Sequence, residues 1–156
     1  YDANSTTASN TQTLTNKTIN ASNNTVTNIG PSARTGGFFV SQLSAATFST
    51  TGNKAITGVG FTPKLVKFKV LPTSSTAAGY AAEGAMTDSY QYCTAHTFGG
   101  STPSRYSTVS NCITQIASGT TTVANQASFV SMDSDGFTIN VTTAGTVFPV
   151  AFECYG

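Results

Sequence analysis

The chain has 156 residues, of which only 8% are charged, against about a quarter in ordinary globular proteins. Seven basic and six acidic side chains leave a net charge of +1 without a basic cluster, which argues against nucleic acid or an anionic membrane as partner. The length fits one compact domain plus an appendage, and no apolar run approaches the roughly 20 residues of a membrane-spanning helix.

Residues 1–12 carry almost nothing to bury, and read as a lead-in ordered only by a partner. An opening at Tyr1-Asp2 without Met is expected of a processed product or of part of a longer polypeptide. The quartet Thr13-Leu14-Thr15-Asn16 then returns as Thr25-Val26-Thr27-Asn28, a repeat of twelve residues. Its aliphatic side chains, Leu14, Ile19, Val26 and Ile29, are too few to fold the segment alone. They gain burial by meeting the same residues of neighbouring copies. Residues 1–30 are therefore expected to form an extended, trimerising stalk.

The run Thr-Gln-Thr-Leu-Thr-Asn-Lys-Thr-Ile-Asn-Ala-Ser-Asn-Asn-Thr-Val-Thr-Asn-Ile, residues 11–29, closely resembles a linker that recurs in tail fibres, head fibres and spikes of tailed bacteriophages. The resemblance implies a homotrimeric virion fibre, assembled in the host cytoplasm, with other virion proteins on the N-terminal side and a distal domain after the linker. It names no receptor.

Gly30-Pro31 breaks the stalk pattern, residues 31–37 form a connector, and residues 38–156 form the head. Here the hydrophobic period is two and no segment holds a helical period for three turns, so the head is all-β. Strands are expected at 38–43, 47–50 and 55–61, with a turn at 51–54. The clearest strand is 64–71, where Val66, Phe68 and Val70 share one face and Lys67 and Lys69 the other. Pro63 and Pro72 bound it, where a missing ladder donor does least harm.

Residues 73–79 read as a loop, and 80–86 as a strand or a short helical turn; strands at 89–98 and 106–116 flank a loop at 99–104. In the second of these strands Val109 and Ile113 are expected on one face. Residues 127–132, 137–141 and 147–155 read as three consecutive strands joined by tight turns. Eight or nine short strands imply an antiparallel β-sandwich, jelly-roll-like, with edges covered by neighbouring subunits. The order of Gly60-Phe-Thr-Pro-Lys-Leu-Val-Lys-Phe68, Ser134-Asp-Gly-Phe-Thr-Ile139 and residues 147–152 also resembles a domain at the ends of many phage fibres. That resemblance implies that the first motif opens a central strand and the second a late hairpin.

Candidate chemistry is sparse. Asp133-Ser134-Asp135 is the one close carboxylate pair, and its place before a Gly favours turn structure over a calcium site or catalysis. Cys93 and His96 stand three apart, on opposite faces of a strand, which disfavours a nucleophilic pair. Cys93, Cys112 and Cys154 are too few for a disulfide framework. They read as buried thiols, with a Cys93–Cys112 bridge as the alternative. No metal or cofactor is implied, and no nucleophile elbow or phosphate loop is present, so the chain is read as a non-enzyme.

For binding, residues 79–106 concentrate Tyr80, Tyr90, Tyr92, His96, Phe98, Arg105 and Tyr106, rings to stack on sugar faces and polar groups to bond hydroxyls. They fall in the segments with the least regular patterning, and loops on a rigid β scaffold commonly carry recognition. The expected function is attachment of a phage fibre or spike to the host surface through a glycan. The alternative is a capsid or collar decoration fibre without a specific receptor.

Overall fold

The computed structural model describes residues 37–70, 79–98, 104–117, 122–145 and 149–156. The expected stalk, with Leu14, Ile19, Val26 and Ile29, lies outside the described residues, as do most residues of the loops expected at 73–79 and 99–104, of which Gly79 belongs to a strand and Ser104 is described. The described part is all-β, with the strands β1 Phe38–Leu43, β2 Gly52–Ile56, β3 Leu65–Val70, β4 Gly79–Met86, β5 Gln91–Phe98, β6 Arg105–Thr108, β7 Ile113–Ile116, β8 Val123–Asp133, β9 Gly136–Thr143 and β10 Val150–Tyr155. Among the described residues no helix is long and apolar enough to cross a membrane.

Two antiparallel sheets pack face to face, one of six strands in the order β1-β10-β3-β4-β5-β6 and one of four in the order β2-β9-β8-β7. The run β3 to β6 is a meander within a single sheet, a connectivity different from that of an eight-stranded jelly roll. Strand β3 behaves as its alternation requires: Val66, Phe68 and Val70 are buried while Lys67 and Lys69 are exposed. It lies inside the larger sheet, between β10 and β4. Phe137 of β9 packs edge-on against Phe68 at 5.8 Å and Phe152 at 5.2 Å. Three rings from three strands thus join the two sheets, an arrangement that aromatic quadrupoles favour.

Several sequence expectations are corrected. The strand expected at 47–50 and the turn expected at 51–54 give way to a 3-10 turn over Ala45–Phe48 and to strand β2, which begins at Gly52. The 3-10 turn delivers Phe48 fully buried into the core. The strand expected at 55–61 instead spans Gly52–Ile56, because Gly58 and Gly60 adopt φ of 86° and 84°, a left-handed backbone that a strand does not accommodate. The loop they make turns both Val59 and Phe61 into the core.

The strand expected at 106–116 is two strands in different sheets. Val109 is 63% exposed whereas Ile113 is 2% exposed, so the two do not share a face. Between them the chain passes from one sheet to the other, and the Cys112 carbonyl packs on Gly84, where a Cβ would stand 2.0 Å from it. The crossing is fixed by Gln91 Nε2 donating to the Ser110 carbonyl at 2.9 Å and by the Cys112 N–H donating to Ala127 at 3.0 Å.

At the C-terminal end, β8 and β9 form the expected hairpin, but β10 leaves for the other sheet and pairs with β1 and β3. Alternation in 150–154 marks a buried face without saying which sheet owns it. All three cysteines are free and buried, so the Cys93–Cys112 bridge does not form.

Candidate functional site

The outer face of the six-stranded sheet is set by register. In β5, Cys93, Ala95 and Thr97 are buried while Tyr92, Thr94, His96 and Phe98 are exposed. The strand expected at 89–98 forms over Gln91–Phe98, and strict alternation puts Tyr92, His96 and Phe98, three of the residues expected to recognise a ligand, on its outer face. Tyr92 and Phe98 are 44% and 45% exposed, and Tyr90, at the hairpin before β5, is 58% exposed. That hairpin is closed by the Thr87 N–H donating to Tyr90 O at 2.7 Å and the Tyr90 N–H donating to Thr87 Oγ1 at 3.0 Å. The Tyr90 and Tyr92 rings lie 6.3 Å apart, as do His96 and Phe98.

Arg105 opens β6, exposed and directly opposite His96. Tyr106 is half-buried against the core, and its hydroxyl accepts from Gln126 Nε2 at 3.1 Å. Its ring is therefore committed to the fold and supplies a wall rather than a free stacking surface. Tyr80 stands on β4 opposite Thr97; its side chain lies outside the described residues.

Two depressions run along β5 and β6. One of about 520 Å³ is lined by Thr94, His96, Arg105, Tyr106 and Ser107, with Ala95 and Thr97. The other, about 420 Å³, is lined by Tyr90, Tyr92, Cys93, Thr94, Ser107, Thr108 and Val109. Thr94 and Ser107, themselves a cross-strand pair, border both, and the two adjoining depressions are together called the β5–β6 groove. A third depression of about 350 Å³ extends from Tyr92 across Lys67, Lys69 and Glu83 to Glu153 and Val40.

The chain matches no protein-family model, no curated protein and no solved structure.

The polar side chains outside the groove have structural work. Asp135 accepts from the Gly58 N–H at 3.0 Å and the Gly60 N–H at 2.6 Å, holding the left-handed loop against the β8–β9 turn. Asp133 accepts from Ser131 Oγ at 2.8 Å and Thr138 Oγ1 at 2.7 Å. The pair thus serves two separate networks, and among the described residues no group of three or more His, Cys, Asp or Glu is placed to hold a metal. Cys93 Sγ donates to Thr114 Oγ1 at 3.0 Å inside the sandwich, and burial pushes its thiol upward. His96 points to the other side, so the two form no nucleophilic pair.

Sequence reading missed the far half of this face. Tyr155 donates to Glu153 Oε2 at 2.6 Å, a bond that raises the phenol, and Lys67 Nζ lies 5.1 Å from the centre of the Tyr155 ring. Lys67-Phe68-Lys69 marked a wet face, but the register that brings Glu153 opposite Lys67 joins residues far apart in the chain.

Proposed function

We propose that the chain is the distal part of a homotrimeric phage fibre or spike, and that its head attaches to a glycan on the host surface. The observation that supports attachment most directly is the exposed row Tyr92, Thr94, His96 and Phe98 on β5. Rings on a rigid, outward-facing ladder stack on the apolar faces of sugars with little ordering penalty, and the hydroxyls between them bond sugar hydroxyls. The resemblance of residues 11–29 to fibre linkers supplies the trimer. Three heads on one stalk turn weak single-site binding into firm attachment through effective concentration, by about 10²–10⁴.

A glycan array of host polysaccharides probed with the full chain tests this. Specific hits that weaken when Tyr90 and Tyr92 are both replaced by Ala are expected, with the melting transition preserved because both rings are exposed. An array without specific hits overturns attachment in favour of a decoration fibre. Shortening of the bound polysaccharide during incubation would instead reveal a depolymerase.

A further inference from the structure

We infer that the β5–β6 groove takes an acidic glycan, a chain whose sugars carry carboxylate or phosphate groups, with Arg105 and His96 as the pair that binds the anion. This rests on the attachment reading above and names the ligand class within it.

The inference comes from how charges are paired across the sheet. Residues directly opposite on antiparallel strands bring their Cβ atoms to about 4.5–5.5 Å, and opposite charges there are mildly stabilising. Lys67 stands opposite Glu153, and Lys69 stands opposite Glu83. Arg105 departs from this rule: its partner in register is His96, another nitrogen donor. No carboxylate is among the residues lining the 520 Å³ depression around them. The nearest acid in register, Glu83, is in the neighbouring row opposite Thr94, with Lys69 on its other side. A guanidinium and an imidazole facing one open cleft gain no cross-strand ion pair from each other. They do match an anion: the planar fork of Arg presents paired N–H donors to carboxylate or phosphate oxygens, and the imidazole N–H adds another.

The rest of the groove suits the sugar that bears the anion. Beside the Arg105–His96 pair lies the hydroxyl pair Thr94–Ser107, and beyond it on β5 comes Tyr92. From His96 to Tyr92 is four residues of strand, about 14 Å at a rise of roughly 3.4 Å per residue. That is longer than one sugar ring. An oligosaccharide laid along β5 thus meets the anion site at one end and a stacking surface at the other.

The test uses the full chain with three immobilised polymers: polygalacturonate, its carboxyl-reduced neutral form, and polyglycerol phosphate. At low salt, binding to at least one charged polymer is expected to be about tenfold or more tighter than to the neutral form. Binding to polygalacturonate alone assigns carboxylate, and binding to polyglycerol phosphate alone assigns phosphate. Arg105→Ala is expected to weaken binding about tenfold, Arg105→Lys to restore it only in part because the fork is lost, and His96→Asn to weaken it by a smaller factor. Both side chains are exposed, so the melting temperature of each variant should match that of the parent.

Equal affinity for polygalacturonate and its neutral form without binding to polyglycerol phosphate, or unchanged binding by Arg105→Ala, overturns the acidic assignment. So does specific binding to neutral glycans on an array with neither charged polymer bound. In each of these cases attachment stands. A chain that binds no glycan of either kind removes both readings.

Discussion

Single side chains hold this head together at places where the backbone does something unusual. Asp135 ties the Gly58–Gly60 loop to the β8–β9 turn through two charge-assisted bonds. Replacing it with Ala is expected to cost about 1.5–3 kcal/mol in urea unfolding, reduced toward the lower end because the site is exposed, while Asn recovers part of the loss. The buried thiols make a different prediction. Burial pushes Cys112 and Cys154 up to about 12 from the ordinary 9.0, so the folded protein keeps both protonated where the unfolded chain does not. Above pH 9 the unfolded state binds fewer protons than the folded one, and stability must fall with pH. The contribution is complete below about 9 and disappears by about 12. Alkaline unfolding monitored by circular dichroism should show this decline, and Cys112→Ala with Cys154→Ala should flatten it while lowering stability at neutral pH.

Elements differ in how far their sequence declares them. Strand β3 is legible because Val66-Lys67-Phe68-Lys69-Val70 alternates in a single phase and prolines limit its ends. Strand β5 is legible as a strand at 89–98, but its phase is harder to read: Thr94 and Thr97 have the same side chain, yet one is exposed and the other buried. The break between β6 and β7 was missed although Ser110-Asn111 sets two polar residues side by side there. The crossing chain packs closely on Gly84, which yields the prediction at this scale. A methyl group at Gly84 would stand 2.0 Å from the Cys112 carbonyl and 2.9 Å from Cys93 Cβ, contacts that backbone cannot relieve by changing rotamer. Gly84→Ala is expected to lower stability by about 1–3 kcal/mol or more. It should also separate β4 from the crossing chain, visible as faster amide exchange at Cys112. Phe137→Ala, which leaves Phe68 and Phe152 facing a cavity between the sheets, should cost about 3–5 kcal/mol.

For the whole molecule, the proposal divides labour between a segment that assembles and a head that recognises, and the division has a measurable consequence. The buried apolar residues of the described core run from Leu43 to Cys154. The described residues of the head thus supply a hydrophobic interior of their own. If residues 11–29 build the trimer, deleting them should leave a head with an unchanged melting transition and a mass by light scattering near that of one chain. The intact protein should scatter as three times 16.0 kDa. Binding should then separate into two quantities. On a surface carrying sparse single glycans the deleted and intact proteins should bind alike, because each encounter uses one groove. On a dense surface the intact protein should hold longer by a factor of about 10²–10⁴, through effective concentration alone. An intact trimer after the deletion would move the assembly contacts into the head. The exposed apolar residues Phe38 and Val40 on β1 would then be the first positions to replace with Lys, since a buried subunit contact does not tolerate an unpaired charge.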